Sequence, residues 1–378
     1  MTNLPLSIKT HTWKRDSHGL FDYESKNTQS SAFKTLVSGS VVQIGEECKF
    51  LPPSLSPQEG ILAQITESNK EFIIHPSNQE RFWLVVKELY TDLGNPGYKL
   101  SEGDMIKFGR IRMKVKEINS IENSCSKEET KATINEKSSE GSVCRFCLSE
   151  MYTDENPLIS PCSCSGSMKW IHYKCLQTWL KGKVNVSEHN NSVCYKWHQL
   201  HCEICKDSYP SSLKVNSKQY NIIEVNKPLG PYIILLDLKG EKNNDYCLWV
   251  ISAFDNLCLT IGRSHDNDIS FADISVSRCH SSIRFIGKSF YLEDNASKFG
   301  TLILAKKSIH LARNSMLAVQ CRRTVIYFSL KEHHSFISAC LCCGSDNKVA
   351  PEPVQIEEQR ESQEEEEKID HEEISGSL

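Results

Sequence analysis

The chain has 378 residues, of which 39% are hydrophobic and 24% charged, and its formal net charge is −4. This length leaves room for two or three domains. Without a run of about 18 apolar residues no membrane-spanning helix is expected, and the first residues lack the apolar core of a signal peptide. We therefore expect an intracellular protein, cytoplasmic or nuclear, whose 17 cysteines are mainly free or metal-bound rather than paired in disulfides.

Charge is distributed unevenly along the chain. Glutamate dominates residues 352–373, so residues 337–378 are predicted to form an acidic, disordered tail. The remainder is mildly basic, but its charges are too scattered to predict nucleic-acid binding. Cys340, Cys342 and Cys343 lack the paired spacing of metal ligands and are interpreted as free thiols, with lipidation or metal binding as the alternative.

Residues 1–118 are predicted to be β-rich and to repeat a fold that occurs again later in the chain. Five positions recur at one constant spacing: Leu100, Met105, Ile106, Phe108 and Arg112 reappear as Leu311, Met316, Leu317, Val319 and Arg323. Residues 42–45 (VQIG) likewise resemble residues 259–262 (LTIG). An internal repeat of one β-fold explains these matches, and chance similarity between strands is the alternative. The polar residues 119–142 are predicted to be a flexible linker.

Residues 143–212 contain eight side chains of metal-ligand type in four close pairs. The pairs are Cys144 and Cys147, Cys162 and Cys164, His172 and Cys175, and Cys202 and Cys205. Such a pair can direct both donors at one ion, and two pairs complete the tetrahedral shell of a structural Zn²⁺. The spacing therefore predicts two closed zinc sites with no vacant position for a catalytic water, whereas eight incidental residues are the alternative. Cys194 and His201 fall outside the pattern and are not predicted ligands.

The order of the ligands resembles that of the RING-CH zinc finger, a variant of the RING domain. The resemblance rests on CSCSGSMKWIHYKC at residues 162–175, on Trp179, and on CEICKDSYP at residues 202–210. It implies a small cross-braced α+β finger stabilised by its metals. The implied ligand sets are Cys144, Cys147, His172 and Cys175 for one zinc, and Cys162, Cys164, Cys202 and Cys205 for the other. The PHD finger shares the ligand order, but it usually has tryptophan where this chain has Leu200.

RING-type domains hold a ubiquitin-charged E2 enzyme, and the resemblance implies the same partner for this chain. Carried over by position, Phe146, Trp179 and Lys206 would contact the E2 enzyme. Packing in a small core is the alternative for the two aromatic residues, and a solvated charge is the alternative for Lys206. A ligase of this type positions the thioester for attack and forms no covalent intermediate. No catalytic nucleophile is therefore predicted among the cysteines.

Residues 213–336 are predicted to form a β-sandwich, because short apolar runs with period-two alternation follow one another closely. Residues 259–304 resemble a forkhead-associated (FHA) domain, a fold that binds phosphothreonine on its loops. The matching motifs are Gly262-Arg263, Ser277-Arg278-x-His280 and Asp294-x2-Ser297-x2-Gly300-Thr301. By position, the resemblance implies that Arg263 and Ser277 bind phosphate, that Arg278 contacts the peptide and that Lys298 supports the phosphate.

One position departs from the FHA pattern. Phe299 stands where the family usually has an asparagine that holds the ligand backbone. Phosphopeptide binding is still favoured because Arg263 and Ser277 are present, and a sandwich used only for protein contacts is the alternative. In residues 1–118, Glu46 takes the place of the arginine, and a carboxylate there would repel phosphate. We interpret that segment as a degenerate FHA-like packing or partner module.

These features predict a multidomain, mainly β protein that binds two Zn²⁺ ions. Its favoured function is that of a soluble E3 ubiquitin ligase, which recruits a charged E2 enzyme through residues 143–212 and a phosphothreonine-containing protein through residues 213–336. A phospho-dependent adaptor without ligase activity is the first alternative. Burial of Phe146 and Trp179 would favour the adaptor, whereas exposure of both on one face would favour the ligase. The second alternative is a PHD-like reader of histone tails, for which the sequence offers no clear aromatic cage.

Overall fold

Strands account for most of the regular structure in the part of the chain that the structure describes. The computed structural model describes residues 4–15, 19–55, 59–69, 71–77, 82–89, 97–120, 133–134, 141–189, 191–215, 218–238, 245–253 and 258–330. Most of the predicted linker, the whole predicted tail and the three cysteines at its start lie outside these residues. No described helix is long and apolar enough to cross a membrane.

The elements are numbered in chain order. The N-terminal strands are β1 Leu6–Trp13, β2 Thr28–Thr35, β3 Gly39–Ile44, β4 Glu47–Leu51, β5 Ile61–Ser68, β6 Glu71–Pro76, β7 Phe82–Val85, β8 Tyr98–Lys99, β9 Met105–Phe108 and β10 Ile111–Asn119. The middle elements are β11 Thr133–Ile134, β12 Leu158–Ile159, β13 Ile171–His172, α1 Tyr173–Lys181, β14 Asn185–Glu188, β15 Ser192–His198, β16 Ser212–Val215 and β17 Lys218–Asn221. The C-terminal strands are β18 Tyr232–Asp237, β19 Asp245–Ser252, β20 Cys258–Gly262, β21 Ile269–Ser270, β22 Ser281–Ile286, β23 Ser289–Asp294, β24 Thr301–Leu304, β25 Ile309–Leu311, β26 Met316–Cys321 and β27 Thr324–Ser329. Short 3-10 helices span Pro53–Leu55, Val86–Glu88 and Gly166–Met168.

One long sheet runs through the described residues and carries a smaller sheet against each of two halves. Its twelve strands lie in the order β14-β15-β19-β18-β10-β9-β24-β7-β26-β27-β1-β2. The two five-stranded sheets have the orders β25-β6-β5-β3-β4 and β21-β20-β22-β23-β8. We call the half ending in β2, together with the sheet that contains β5, the first sandwich. The half containing β18, together with the sheet that contains β22, is the second sandwich.

Each sandwich encloses its own apolar core. Alternation along the strands builds these cores: in β10, every second residue from Ile111 to Glu117 is buried and the residues between are exposed. The core of the first sandwich includes Ile8, Phe72 and Phe328, and that of the second includes Met113 and Phe285. The mainly β class predicted from the sequence is confirmed by this arrangement.

The two sandwiches have matching strand orders. Reading outward from the centre of the long sheet, β7-β26-β27-β1-β2 corresponds to β24-β9-β10-β18-β19. The small sheets correspond in the same way, with β25-β6-β5-β3-β4 matching β8-β23-β22-β20-β21. The repeated sequence positions fall on these equivalent segments, because β9 matches β26 and β3 matches β20. The internal repeat predicted from the sequence is therefore present as two copies of one strand arrangement.

The copies exchange their last three strands. Residues 98–119 (β8, β9 and β10) precede the finger in sequence but complete the second sandwich, where β10 pairs with β18 and β8 with β23. Residues 309–329 complete the first sandwich, where β27 pairs with β1 and β25 with β6. Neither sandwich is thus built from one continuous segment, which differs from the predicted division into residues 1–118 and 213–336.

The exchange is possible because the last unexchanged strands of the two copies are neighbours. Strands β7 and β24 pair antiparallel at the centre of the long sheet, with Leu84 opposite Ile303. A chain that leaves either strand therefore starts at the boundary between the two sandwiches. Exchanged strands take equivalent places in the strand order, so crossing over pairs their backbone groups as folding back would.

Residues 141–223 form a small zinc-finger-like module, which we call the finger. Its core contains Leu158, Trp170, Ile171 and the helix residues Leu176 and Leu180. The hairpin β14–β15 leaves this core and extends the long sheet, where β15 pairs with β19 over seven residues from Ser192 to His198. The finger is thereby joined to the second sandwich by a continuous hydrogen-bonded ladder.

Candidate functional site

The structure places the eight predicted ligands in two groups. One contains Cys144, Cys147, His172 and Cys175, and the other contains Cys162, Cys164, Cys202 and Cys205; within each group all ligand atoms lie within 4.8 Å of one another. Each group takes one pair from the first half of the finger and another from farther along the chain. The groups have the interleaved composition that the RING-CH resemblance implies. Cys194 and His201 belong to neither group.

The two Cys-x2-Cys pairs sit on equivalent tight turns. In the first, the N–H of Leu148 donates to the carbonyl oxygen of Cys144 (2.8 Å), and in the second the N–H of Lys206 donates to that of Cys202 (2.9 Å). Leu148 and Lys206 both adopt positive φ, 58° and 62°. This strained conformation, which non-glycine residues rarely adopt, closes each turn so that both thiols point to one side.

His172 is oriented for ligation through Nδ1. Its Nε2 lies 2.8 Å from the carbonyl oxygen of Met151, which can only accept, so Nε2 carries the proton. Nδ1 then has a free lone pair and lies 3.1 Å from Sγ of Cys147 and 3.9 Å from Sγ of Cys175. A hydrogen bond from the opposite ring nitrogen is the usual way in which a metal-binding histidine is held.

The thiols require a cation to ionise together. Burial and the neighbouring Cys144 raise the pKa of Cys175 to about 12. Burial acts to raise the pKa of Cys202 as well. Hydrogen bonds from the N–H groups of Cys205 and Ile204 outweigh burial, so the pKa of Cys202 is lowered to about 6. One group has three thiols and the other has four, and a bound cation would offset the repulsion between thiolates held this close together. Sets of four thiolate and imidazole donors are typical of Zn²⁺ sites, so both groups fit this ion.

Arg145 connects the two groups and was not singled out from the sequence. It follows Cys144, yet its guanidinium reaches the thiols of the other group, with Nη1 3.8 Å from Sγ of Cys162 and Nη2 3.7 Å from Sγ of Cys202. Nη1 also donates to the carbonyl oxygen of Met168 (2.7 Å). The sequence feature that could have identified Arg145 is its position as a basic residue between two metal ligands. Its side chain braces one metal site against the other.

An aromatic pair lies on the surface of the finger. Phe146 projects from the first ligand turn and Trp179 from α1, and each is 43% exposed. Their ring centroids are 5.7 Å apart. Leu176 and Leu180 face the core, so Trp179 occupies the outward side of the amphipathic helix. Lys206 is also exposed, on the second ligand turn.

Four loop residues of the second sandwich come together as the FHA resemblance implies. The N–H of Arg263 donates to the carbonyl oxygen of Ser277 (2.9 Å), and the N–H of Lys298 donates to Oγ of Ser277 (3.1 Å). Ser277 therefore links the loop after β20 to the loop before β24, while its hydroxyl proton is left for another acceptor. The side chains of Arg263, Arg278 and Lys298 are exposed. We call this group the binding loops.

The remaining motif residues support the backbone of these loops. Fully buried His280 accepts the N–H of Ser277 at Nδ1 (3.0 Å) and donates from Nε2 to the carbonyl oxygen of Gly300 (3.2 Å). Burial lowers the pKa of His280. Asp294 accepts from the N–H and hydroxyl groups of both Ser297 and Thr301. These polar groups are used inside the fold, where they hold the backbone of the loops in place.

Phe299 lies beside the binding loops and also contacts the first sandwich. Its ring lies 6.2 Å from that of Trp13 on β1, and it packs at the edge of a cluster that includes Phe21 and Trp83. Contact between the sandwiches therefore gives a physical reason for an aromatic residue where the FHA family usually has asparagine. Glu46, at the position equivalent to the arginine in the first sandwich, is exposed in the β3–β4 turn.

Comparisons with known proteins agree with both resemblances. A family model for the RING-variant domain matches residues 144–205, and one for the FHA domain matches residues 259–317. The RING-variant match disfavours the PHD-like alternative. No solved structure matches the chain.

Curated relatives match the finger region. E3 ubiquitin-protein ligase MARCHF7 of Rattus norvegicus is 32% identical over 88 residues, which are 23% of this chain and 11% of the relative. Probable E3 ubiquitin-protein ligase MARCHF10 of Homo sapiens is 35% identical over 85 residues, 22% of this chain and 9% of the relative. ERAD-associated E3 ubiquitin-protein ligase DOA10 of Saccharomyces cerevisiae is 35% identical over 89 residues, 24% of this chain and 6% of the relative.

The chain spans about a tenth or less of the length of these three relatives, so they inform the finger and not the rest of the molecule. Ligand order, interleaved geometry and sequence match agree for the finger, and motif order and loop geometry agree for the second sandwich. The chain therefore contains a RING-variant (RING-CH) domain at residues 144–205, with two groups of Cys and His ligands, and a match to the FHA domain at residues 259–317.

Proposed function

We propose that this protein is an E3 ubiquitin-protein ligase whose finger binds two Zn²⁺ ions and recruits a ubiquitin-charged E2 enzyme. The observation that carries the proposal is the exposed aromatic pair Phe146 and Trp179 on the surface of the finger, beside the first metal group. Large aromatic side chains that remain exposed together commonly mark a protein-binding site. Burial of both would have favoured a purely structural finger.

The chain's residues would act by positioning and not by covalent chemistry. The zinc ions would supply a rigid closed shell for the first and second ligand turns, with no open position for a substrate. Phe146 and Trp179 would bind the E2 enzyme, and Lys206 would contact the same partner from the neighbouring turn. Holding the thioester and the attacking amine in one assembly accelerates transfer by removing the entropy cost of their encounter.

We further propose that the binding loops take up phosphothreonine on a partner protein. The support is the convergence of Arg263, Ser277 and Lys298 through short backbone contacts, with Arg278 exposed beside them. Arginine and hydroxyl donors form charge-assisted hydrogen bonds with phosphate oxygens. The β15–β19 ladder would then hold a captured partner at a fixed orientation to the finger.

A ubiquitination assay tests the ligase proposal. The purified chain, with two zinc ions per molecule verified by elemental analysis, is incubated with ubiquitin, E1 and a panel of E2 enzymes. We expect ubiquitin chains with at least one E2, and strong loss of that activity in Phe146→Ala. A zinc-loaded protein that is inactive with every E2 would instead support the phospho-dependent adaptor.

A peptide pull-down tests the phosphothreonine proposal. Arg263→Ala should abolish capture of a phosphothreonine peptide pool, whereas Arg313→Ala, which changes an exposed arginine outside the binding loops, should leave it unchanged. Equal capture by wild type and Arg263→Ala would refute the assigned pocket.

A further inference from the structure

Asp22 of the first sandwich reaches the binding loops of the second. It lies in the connection between β1 and β2 and is nearly buried, with 8% of its surface exposed. Its Oδ2 is 3.4 Å from Nζ of Lys298, and the N–H of Tyr23 donates to the carbonyl oxygen of Lys298 (3.0 Å). A carboxylate of one sandwich is therefore paired with a basic side chain on the loops of the other.

The paired lysine belongs to the proposed phosphate site. The N–H of Lys298 contacts Oγ of Ser277, whose carbonyl oxygen accepts the N–H of Arg263. Asp22 thus contacts the side chain of a residue whose backbone N–H is bonded to Ser277, one of the two proposed phosphate ligands. A bound phosphate and the Asp22 carboxylate would both attract the same ammonium group.

Several contacts hold the Asp22 segment against the binding loops. The ring of Tyr23 covers Gly300, where a Cβ would lie 2.6 Å from the ring, and the Tyr23 hydroxyl donates to Oε1 of Gln320 (3.1 Å). The nearby contact between Trp13 and Phe299 adds a second apolar anchor. With the backbone held on both sides, the movable partner is the side chain of Lys298, which is 49% exposed.

From this geometry we propose that Asp22 is an internal competitor for Lys298 that lowers the affinity of the binding loops for phosphothreonine. The proposal rests on the phosphopeptide function proposed above. A fixed carboxylate reduces the positive potential at the site, and a dianionic ligand loses about twice as much attraction as a monoanionic one. Removing the carboxylate charge should therefore increase the affinity for phosphothreonine more than the affinity for a glutamate mimic.

Asp22→Asn tests this competition with little change of shape. The amide keeps an oxygen that can accept the N–H of Glu24, which now donates to Oδ1 of Asp22 (3.0 Å). With fluorescein-labelled peptide pools of randomised flanks, we expect Asp22→Asn to tighten binding of the phosphothreonine pool about two- to fivefold. The glutamate pool should gain less. Glu24→Gln, a neutralisation of the exposed neighbour, should change neither affinity.

The second part of the experiment tests whether the effect of Asp22→Asn depends on Lys298. In a Lys298→Ala background, Asp22→Asn should improve binding less than in the wild-type background, because only the direct repulsion between the carboxylate and the phosphate remains. An undiminished improvement would overturn the competition for Lys298. Unchanged or weaker binding by a folded Asp22→Asn variant, with wild-type binding intact, would overturn the competition. If Asp22→Asn does not fold, Asp22→Ser takes its place under the same criterion. Wild-type protein that binds no phosphothreonine pool would overturn the phosphopeptide function and this inference with it.

Discussion

Gly262, which precedes the proposed phosphate ligand Arg263, lies directly beneath the next loop. A Cβ at this position would lie 2.1 Å from the carbonyl oxygen of Arg278 and 2.9 Å from Nδ2 of Asn267. That amide donates to the same carbonyl oxygen (2.8 Å), so neither neighbour is free to move away. The glycine is required by close approach of two backbones, which allows the arginine-bearing and serine-bearing loops to meet.

Gly262→Ala should destabilise the protein by about 1–3 kcal/mol, because the added methyl group overpacks a site bounded by backbone. Gly230→Ala is the matched control, since a Cβ there meets nothing within 4 Å. Chemical denaturation measures both variants. Equal stability of the two would contradict the close approach at Gly262.

Trp179→Ala should impair the proposed E2 contact while leaving the finger folded. A partly exposed aromatic anchor at an interface commonly contributes enough that its loss weakens binding at least about tenfold. Leu176→Ala, on the buried side of the same helix, should instead cost about 2–5 kcal/mol of stability. Binding to an active E2 enzyme and thermal denaturation separate the two effects. A Trp179→Ala finger that unfolds would assign this residue to the core.

At the scale of elements, the hairpin β14–β15 has a role beyond the zinc finger. It lies between the sixth and seventh metal ligands, and β15 extends the long sheet through its pairing with β19. Nearby, buried Glu117 on β10 accepts hydrogen bonds from Nζ of Lys227 (2.7 Å) and from the hydroxyl of Tyr232. These contacts anchor the segment that leads from the finger into β18. The finger and the second sandwich are consequently joined by a strand ladder and, next to it, by an ion pair whose carboxylate is buried.

The register of this ladder is testable through two thiols. Cys194 on β15 and Cys247 on β19 have Sγ atoms 3.4 Å apart. Zinc-loaded protein treated with oxidised glutathione should form a Cys194–Cys247 disulfide, releasing two molecules of reduced glutathione, as detected by peptide mass spectrometry. A slip by one residue would place the thiols on opposite faces of the sheet. Absence of this cross-link, when Cys258 is modified normally, would argue against the ladder.

At the scale of the whole molecule, the strand exchange makes the two sandwiches depend on each other's segments. The FHA family match ends at residue 317 and so crosses from β24 in the second sandwich to β25 and β26 in the first. The N-terminal segment supplies β8, β9 and β10 to the second sandwich in return. Residues 1–118 therefore contribute to the sandwich that carries the binding loops, in addition to their contact through Asp22.

Two core substitutions distinguish exchanged from unexchanged sandwiches. Phe328→Ala should cost about 3–5 kcal/mol and reduce hydrogen-exchange protection in β1 and β5, because Phe328 packs in the first sandwich. Met113→Ala should cost about 2–5 kcal/mol and reduce protection in β20 and β22. The opposite pattern, with Phe328→Ala loosening β20 and β22, would show that each segment folds on itself.

Features that depend on local spacing can be predicted from the sequence. Paired ligands spaced by one or two residues predict metal sites because a tight turn brings both donors to one ion. Period-two alternation similarly predicts the strands, and recurring positions predict the repeat. Local spacing does not predict the exposure of Trp179 or the roles of Arg145 and Asp22, because these depend on contacts between residues that are distant in the chain.

The way in which the repeated segments combine is visible in the three-dimensional arrangement of the strands and not in the sequence. Strands β10 and β27 take the same place in the shared strand order, and local alternation does not indicate which sandwich a strand completes. The choice depends on the pairing of β7 with β24, which brings the two crossover points together. The same packing brought Asp22 to Lys298 and Trp13 to Phe299, because long-range contacts follow from the assembled sheets and not from local spacing.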